Sequence, residues 1–192
     1  MTGTALPGSV LPARSGEPGS GEPGAGEVGP GEHGRADVRP AVLADRPAVL
    51  EMFGRCTLET RYHRFHAPVR AIPGEYLTEA LSGSPFHHAL VVRPAGTDER
   101  IVALASCRVF AEGAAELGLL IEDGWQRRGL GTRLLADLVA HARQSGLRVL
   151  EAQLLAEQAW ITGMLRRYGP CRQRWSRGEG RVTLPVQPPP GG

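Results

Sequence analysis

Two groups of residues in this chain have the types and spacing that chemistry needs. The first is Gln126-Arg127-Arg128-Gly129-Leu130-Gly131. It lies between an apolar run, Glu116 to Ile121, and a segment whose apolar positions Leu130, Leu134, Leu135, Leu138, Val139 and Ala142 recur at helical steps. Strand, glycine-bearing turn and helix start form the local arrangement that grips a phosphate. The first turn of a helix has N–H groups without internal partners and carries partial positive charge. Gly129 and Gly131 have no Cβ to hold an anion off the main chain, and Arg127 and Arg128 add full charges beside it. The second is Glu116, a carboxylate opening the apolar strand. Alternation puts Leu117, Leu119 and Ile121 on one face and Glu116, Gly118 and Leu120 on the other. Partial desolvation raises the pKa of such an acid and suits it to accepting a proton. Glu122 and Asp123 read as exposed turn acids.

Two other phosphate loops fit less well. A Walker A loop ends in Gly-Lys-Ser/Thr, and this chain contains no lysine at all. A dinucleotide fingerprint would take Gly129 and Gly131 as its first two glycines. Its third position is then Leu134, and although Glu151 stands where a ribose-binding acid is expected, too little chain follows for the second half of that fold.

The hexapeptide resembles the Q/R-x-x-G-x-G/A signature of the GNAT superfamily of N-acetyltransferases. The resemblance extends over about Val38 to Val186. It implies acetyl-CoA as co-substrate, its pyrophosphate on Arg127, Arg128, Gly129, Leu130, Gly131 and Thr132. It also implies a strand that parts from its neighbour, so that Leu119, Leu120 and Ile121 hold the pantetheine arm through the main chain. By the same resemblance Glu116 stands where protein-acetylating members keep their general base, and Gln158 stands where many relatives have a cofactor-contacting asparagine. Leu165 replaces the tyrosine that protonates the thiolate in many members, and Pro170 replaces a usual aromatic. The run Glu59, Thr60, Tyr62, Arg64, Phe65 is similar to S-x-E-S/T-x-Y-x-R-F in bacterial protein lysine acetyltransferases. The implied reaction is direct attack of a primary amine in a ternary complex, with a protein lysine as leading acceptor ahead of a small-molecule amine. The alternative from another class is a non-catalytic acyl-CoA-binding sensor or regulatory module.

The surrounding elements agree. Residues 1–36 carry a pentapeptide, GEPGS, GEPGA, GEVGP, GEHGR, too rich in glycine and proline to fold by burial, and read as a disordered tail; 187–192 read likewise. Residues 37–186 form one domain. A short strand, Val38 to Arg39, precedes a helix capped by Asp45. A second helix, Thr57 to Phe65, packs Leu58, Tyr62 and Phe65, and a short one covers Glu75 to Leu81. Strands at Ala89 to Arg93 and Ile101 to Phe110 lead through Glu112-Gly113 into the central strand. After the central helix come a strand at Leu147 to Leu155, a helix at Gln158 to Tyr168 with Trp160, Ile161, Met164 and Leu165 on one face, and a hairpin of Arg172 to Ser176 with Arg181 to Val186. With the short Glu75 to Leu81 helix left out of the count, this βααβββαβαββ order belongs to the α/β (α+β) class and is that of the GNAT fold, a mixed, mostly antiparallel sheet with helices on both faces. The formal charge of +2 divides unevenly, since residues 1–37 hold two arginines against five acids. Abundant arginine without lysine or asparagine reflects coding bias, and Arg172-Gln173-Arg174-Trp175 alone does not make a nucleic-acid face. Cys56, Cys107 and Cys171 form no C-x-x-C pair, so neither a disulfide framework nor a metal site is expected. His63, His66, His87 and His88 read as surface or loop residues, the last two facing opposite ways on a strand. With no signal segment and no apolar run of ~20 residues, the expected location is cytoplasmic, without a membrane partner.

Overall fold

In the computed structural model, residues 36–97 and 99–186 are described; both expected tails lie outside them but for Ala36. The first strand, β1, spans Ala36–Pro40, starting two residues earlier and ending one later than the expected Val38 to Arg39. A 3₁₀ turn at Leu43–Asp45 leads into α1 (Arg46–Arg55), then α2 (Leu58–Phe65) and α3 (Gly74–Leu81). The meander β2 (His87–Pro94), β3 (Ala103–Ala111) and β4 (Ala114–Ile121) follows. Next come α4 (Leu130–Gln144), β5 (Val149–Leu155), α5 (Trp160–Leu165), β6 (Arg172–Ser176) and β7 (Glu179–Pro185). The seven strands form one sheet in the order β1-β2-β3-β4-β5-β7-β6, antiparallel throughout except for β4 beside β5.

Alternation along the strands splits the apolar residues between two cores. On one face, Leu134, Leu135, Leu138, Val139 and Ala142 of α4 and Leu165 of α5 pack on Ala105, Leu117, Leu150, Leu154, Val182 and Leu184. On the other, Val49, Met52 and Phe53 of α1 and Leu77 and Leu81 of α3 pack on Ala89, Val91, Leu104 and Leu120. Leu134 has no solvent exposure. Leu134→Ala should therefore lower unfolding free energy by about 2–5 kcal/mol, read from the urea midpoint at unchanged slope.

Several elements differ from their sequence reading, each for a local reason. Asp45 precedes α1 but its carboxylate does not cap that helix, serving the preceding 3₁₀ turn instead. It is buried against the Arg39 guanidinium and accepts from Val42 N–H at 2.9 Å, and these bonds outweigh the burial that alone would raise its pKa, leaving it lowered. α5 covers only Trp160–Leu165, because a 3₁₀ turn at Ala156–Gln158 precedes it and tight turns carry the chain on to Tyr168. Trp160 stands 66% exposed rather than on the packed face. α2 packs Phe65 as expected but is otherwise rotated: Leu58 is 76% exposed and Tyr62 faces outward, while Arg61 and Arg64 turn toward the domain. Arg61 lies 4.5 Å from the centre of the Phe53 ring, so aliphatic stems and cation–π contacts replace the expected leucine packing.

The strand histidines do face opposite ways, but they are not surface residues. His87 is completely buried beneath the Tyr76 ring. His88 stacks on His141 of α4 with ring centres 3.6 Å apart, and burial followed by the neighbouring His141 pushes its pKa down from 6.5 to about 4. Burial also lowers that of His141. A base whose pKa is depressed by folding contributes its full stability above the unfolded value and loses it as pH falls toward the folded one. Chemical denaturation should therefore show ~1–2 kcal/mol less stability at pH 4.5 than at pH 7 from this stack, and His88→Phe should remove much of that dependence.

Candidate active site

The site is built where β4 ends. After Ile121 the chain makes a 3₁₀ turn at Asp123–Trp125, extends through Gln126, and then takes left-handed backbone at Arg127 (φ 58°) and Gly129 (φ 81°) before entering α4. Gly129 is the N-cap residue, where its left-handed angle costs no Cβ clash, and no side chain caps the helix. The first-turn amides of a fifteen-residue helix are thus left to an outside acceptor. Arg127, Arg128 and Gly129 are exposed, and the Arg128 guanidinium sits 5.6 Å from the Trp125 ring centre. Leu130 anchors this turn in the core. A Cβ on Gly131 would touch only Ile121 Cδ1, at 3.6 Å, so the space above it is open. Main-chain donors, flanking arginines and open space together fit a pyrophosphate.

Beside this cradle the sheet opens. β4 pairs with β3 along its whole length, but with β5 only at Ala114↔Val149, Ala115↔Leu150 and Glu116↔Glu151. From Leu117 onward the two strands part. The register decides which main-chain groups face the gap. Glu122 N–H donates to Val102 O across β3, and Val149 N–H donates to Gly113 O across β5. Even-numbered residues of β4 therefore address β3, while Leu117, Leu119 and Ile121 address the gap. Of the three aliphatics expected at the pantetheine arm, Leu119 and Ile121 present their main chain there. Leu120 is turned toward β3, with its side chain buried in the α1–α3 core.

The acids after β4 are structural, not exposed turn residues. Glu122 is buried between Arg55 (3.1 Å) and Arg100 (2.6 Å). The Asp123 carboxylate accepts from Thr57 N–H (2.9 Å), Thr57 Oγ1 (2.7 Å) and Thr60 Oγ1 (2.8 Å). Its burial alone would raise the pKa, but these bonds outweigh that and leave it below the usual carboxylate range. Gln126 Nε2 adds bonds to Thr60 Oγ1 and Ile121 O, each 3.0 Å. The first turn of α2 is thereby fastened to the phosphate turn. Sequence reasoning passed over this, although Thr57 followed three residues later by Thr60 is a legible N-cap.

Glu116 is half-buried on the α1–α3 face, with Arg108 of β3 and Glu151 of β5 as its cross-strand neighbours. Glu151 is 3.7 Å from Arg181. Two residues along the same face lies Gly118, and Arg64 of α2 rests directly on it: an added Cβ would fall 2.2 Å from Arg64 Nη2. Arg64 Nη2 donates to Tyr76 Oη (2.7 Å), which shares a 2.9 Å hydrogen bond with Ser106 Oγ. Gln158 is farther round the gap. Its Oε1 accepts from Leu155 N–H (3.0 Å) and its Nε2 donates to His63 O (3.3 Å), so its amide ties the end of β5 to α2. Leu165 is buried, and Tyr168 packs against the α4 core rather than into the gap. Burial raises Cys56 to about 11 and Cys107 to about 12, which leaves neither a ready nucleophile. Among the described residues no cluster of three or more His, Cys, Asp or Glu is arranged to hold a metal.

Comparison with known proteins agrees with this geometry. The family model of the GNAT acetyltransferases matches residues 48–169. The chain is similar to an L-methionine sulfoximine/L-methionine sulfone acetyltransferase of Pseudomonas paraeruginosa, 26% identical over 136 residues, 70% of this chain and 79% of that one. In fold it is similar to the GNAT domain of S. lividans PAT, with a TM-score of 0.68 at 22% identity, covering 78% of this chain and 90% of that one. It is also similar to a phosphinothricin acetyltransferase of Sinorhizobium meliloti in complex with AcCoA, with a TM-score of 0.61 at 16% identity, covering 78% and 88%. An uncapped helix start flanked by arginines, a sheet that opens beside it and a family model spanning most of the domain lead to one assignment: the chain belongs to the GNAT family of acetyltransferases, acyltransferases for which acetyl-CoA is the co-substrate.

Proposed function

We propose that this chain transfers the acetyl group of acetyl-CoA to a primary amine by direct attack in a ternary complex, with Glu116 as general base. The observation that carries this reading is the parting of β4 from β5 beyond Glu116, with a half-buried carboxylate at the fork and the phosphate cradle at the far end. Arg127, Arg128, Gly129, Leu130, Gly131 and Thr132 take the pyrophosphate, and the main chains of Leu119 and Ile121 take the pantetheine arm. Leu120 supports them from the core. Gln158 would contact the arm only by giving up one of its two present bonds. The bound thioester supplies an activated acyl carbon. Glu116 accepts the first proton that the attacking ammonium must lose, the N–C bond forms as the C–S bond breaks, and the second proton shed by the nitrogen passes through water to the thiolate. Free thiols at Cys56, Cys107 and Cys171 suit a reducing compartment such as the cytoplasm.

For the acceptor, the Glu59–Phe65 run supports a protein lysine. The 26% identical relative, named for two amino-acid analogues, supports a small amine. We favour the small amine, because the Arg64 guanidinium already occupies the face beside Glu116. The decisive measurement is release of free thiol from acetyl-CoA with lysine peptides, polyamines and amino acids as acceptors. Turnover with any of them supports the enzyme. Tight coenzyme A binding with no turnover on any acceptor would instead make the chain an acyl-CoA sensor.

A further inference from the structure

A guanidinium beside the reacting atoms of an amine acetyltransferase is electrostatically out of place. It repels the ammonium that the site must attract, unless the acceptor brings an anion with it. Arg64 has no carboxylate partner among the described residues. It is held instead by neutral groups: Tyr76 Oη at 2.7 Å, braced by Ser106, and the rings of Phe65 and Tyr76 beneath its charge at 4.9 and 5.1 Å. These contacts fix the plane of the fork without neutralising it. Among the described residues its Nε and Nη1 have no acceptor, yet they are not among the buried unpartnered atoms, so they stand open to a visiting group. Its seat exists only because residue 118 is glycine, since a Cβ there would overlap Nη2, Cζ and Nε at 2.2, 2.5 and 2.8 Å. Glu116 sits on the same strand face two residues before Gly118, its Cα about 7 Å from that of the glycine under Arg64, the spacing of alternate strand residues.

From this juxtaposition we infer that the acceptor is a free α-amino acid, whose carboxylate pairs with the Arg64 fork while its amine faces Glu116. A zwitterion with its two charges on one carbon satisfies both groups at once. A lysine side chain in a protein or a polyamine satisfies Glu116 and leaves Arg64 opposed. Planar, bidentate recognition of a carboxylate is what a guanidinium does better than an ammonium. The inference rests on the acetyl-transfer reading for the identity of the site, but it predicts binding that is measurable without turnover.

The test is calorimetric titration of the coenzyme A-saturated protein with the twenty L-amino acids, their carboxamides and their decarboxylated amines. At least one amino acid should bind ~30-fold or more tightly than its amide and its amine. Arg64→Gln should erase most of that discrimination, and Arg64→Lys should restore only part of it. Gly118→Ala, which keeps the charge but takes away its seat, should weaken it as well, with folding of each variant verified by its melting transition. In thiol release, Arg64→Gln should raise KM for that amino acid with a smaller change in kcat. Amides or amines binding as well as the acids, or discrimination that survives Arg64→Gln, would overturn the inference. Amino-acid binding without thiol release would sustain it while removing the enzymatic reading, so the two fail separately.

Discussion

Glu116→Gln should lower kcat for thiol release by about 10²- to 10³-fold while leaving coenzyme A affinity within about twofold of wild type. The substitution keeps the shape of the side chain and removes only its ability to accept a proton. Because Glu116 lies at the fork of the sheet, with the phosphate cradle at the opposite end of the opening, donor binding should not register the change. The pH profile carries the more specific signature. The variant must rely on the small fraction of acceptor already deprotonated in solution, so its rate should keep climbing with pH toward the amine's own ionisation. An unchanged kcat would remove Glu116 from the chemistry, and an equal loss of donor affinity would make it a structural acid.

The second large effect concerns Gly131, where two substitutions should separate the fold from the function. Its backbone is helical, and an added methyl meets only Ile121 Cδ1 at 3.6 Å. Gly131→Ala should therefore stabilise the helix by up to ~1 kcal/mol in chemical denaturation. On the proposed placement of the pyrophosphate the same methyl stands in its path to the main chain, so coenzyme A affinity should fall about tenfold. Gly131→Glu places a carboxylate in the cradle, and calorimetry should show affinity reduced by 100-fold or more, with the protein still folded. Unaltered coenzyme A binding in both variants would dismantle the phosphate assignment, and with it the placement of the arm along Leu119 and Ile121.

What could be read from the sequence followed the strength of the local signals. The strand, turn and helix around Gly129 announce themselves by periodicity and by glycine, and the fold places them as expected. Alternation in β4 sorted Glu116 and Gly118 from Leu117 and Leu119 correctly, because a strand has only two faces. A helix offers no such binary choice. In α2 the apolar residues invited a Leu58–Tyr62–Phe65 stripe, of which Phe65 alone packs inward, whereas the ring of Phe53 and the glycine at 118 accept the long stems of Arg61 and Arg64. Charge misled in the same way. Glu122 and Asp123 have the composition of a solvated turn, and their burial depends on Arg55, Arg100, Thr57 and Thr60, partners up to 67 residues away in the chain. His87 and His88 fall under the same rule, since no local pattern reveals that Tyr76 and His141 will cover them.

The fastening of α2 by Asp123 has a bearing on any effort to retarget the protein. Thr57 and Thr60 belong mechanically to the proposed donor half of the site, whereas Arg64, one turn further on, is held through Tyr76, Ser106 and the Phe65 ring. A designer wishing to change which molecules are modified has a natural partition to work with. On the proposed reading, the second turn of this helix, together with Gly118, Tyr76 and Ser106, forms a module whose rewriting should leave the grip on the nucleotide as it is.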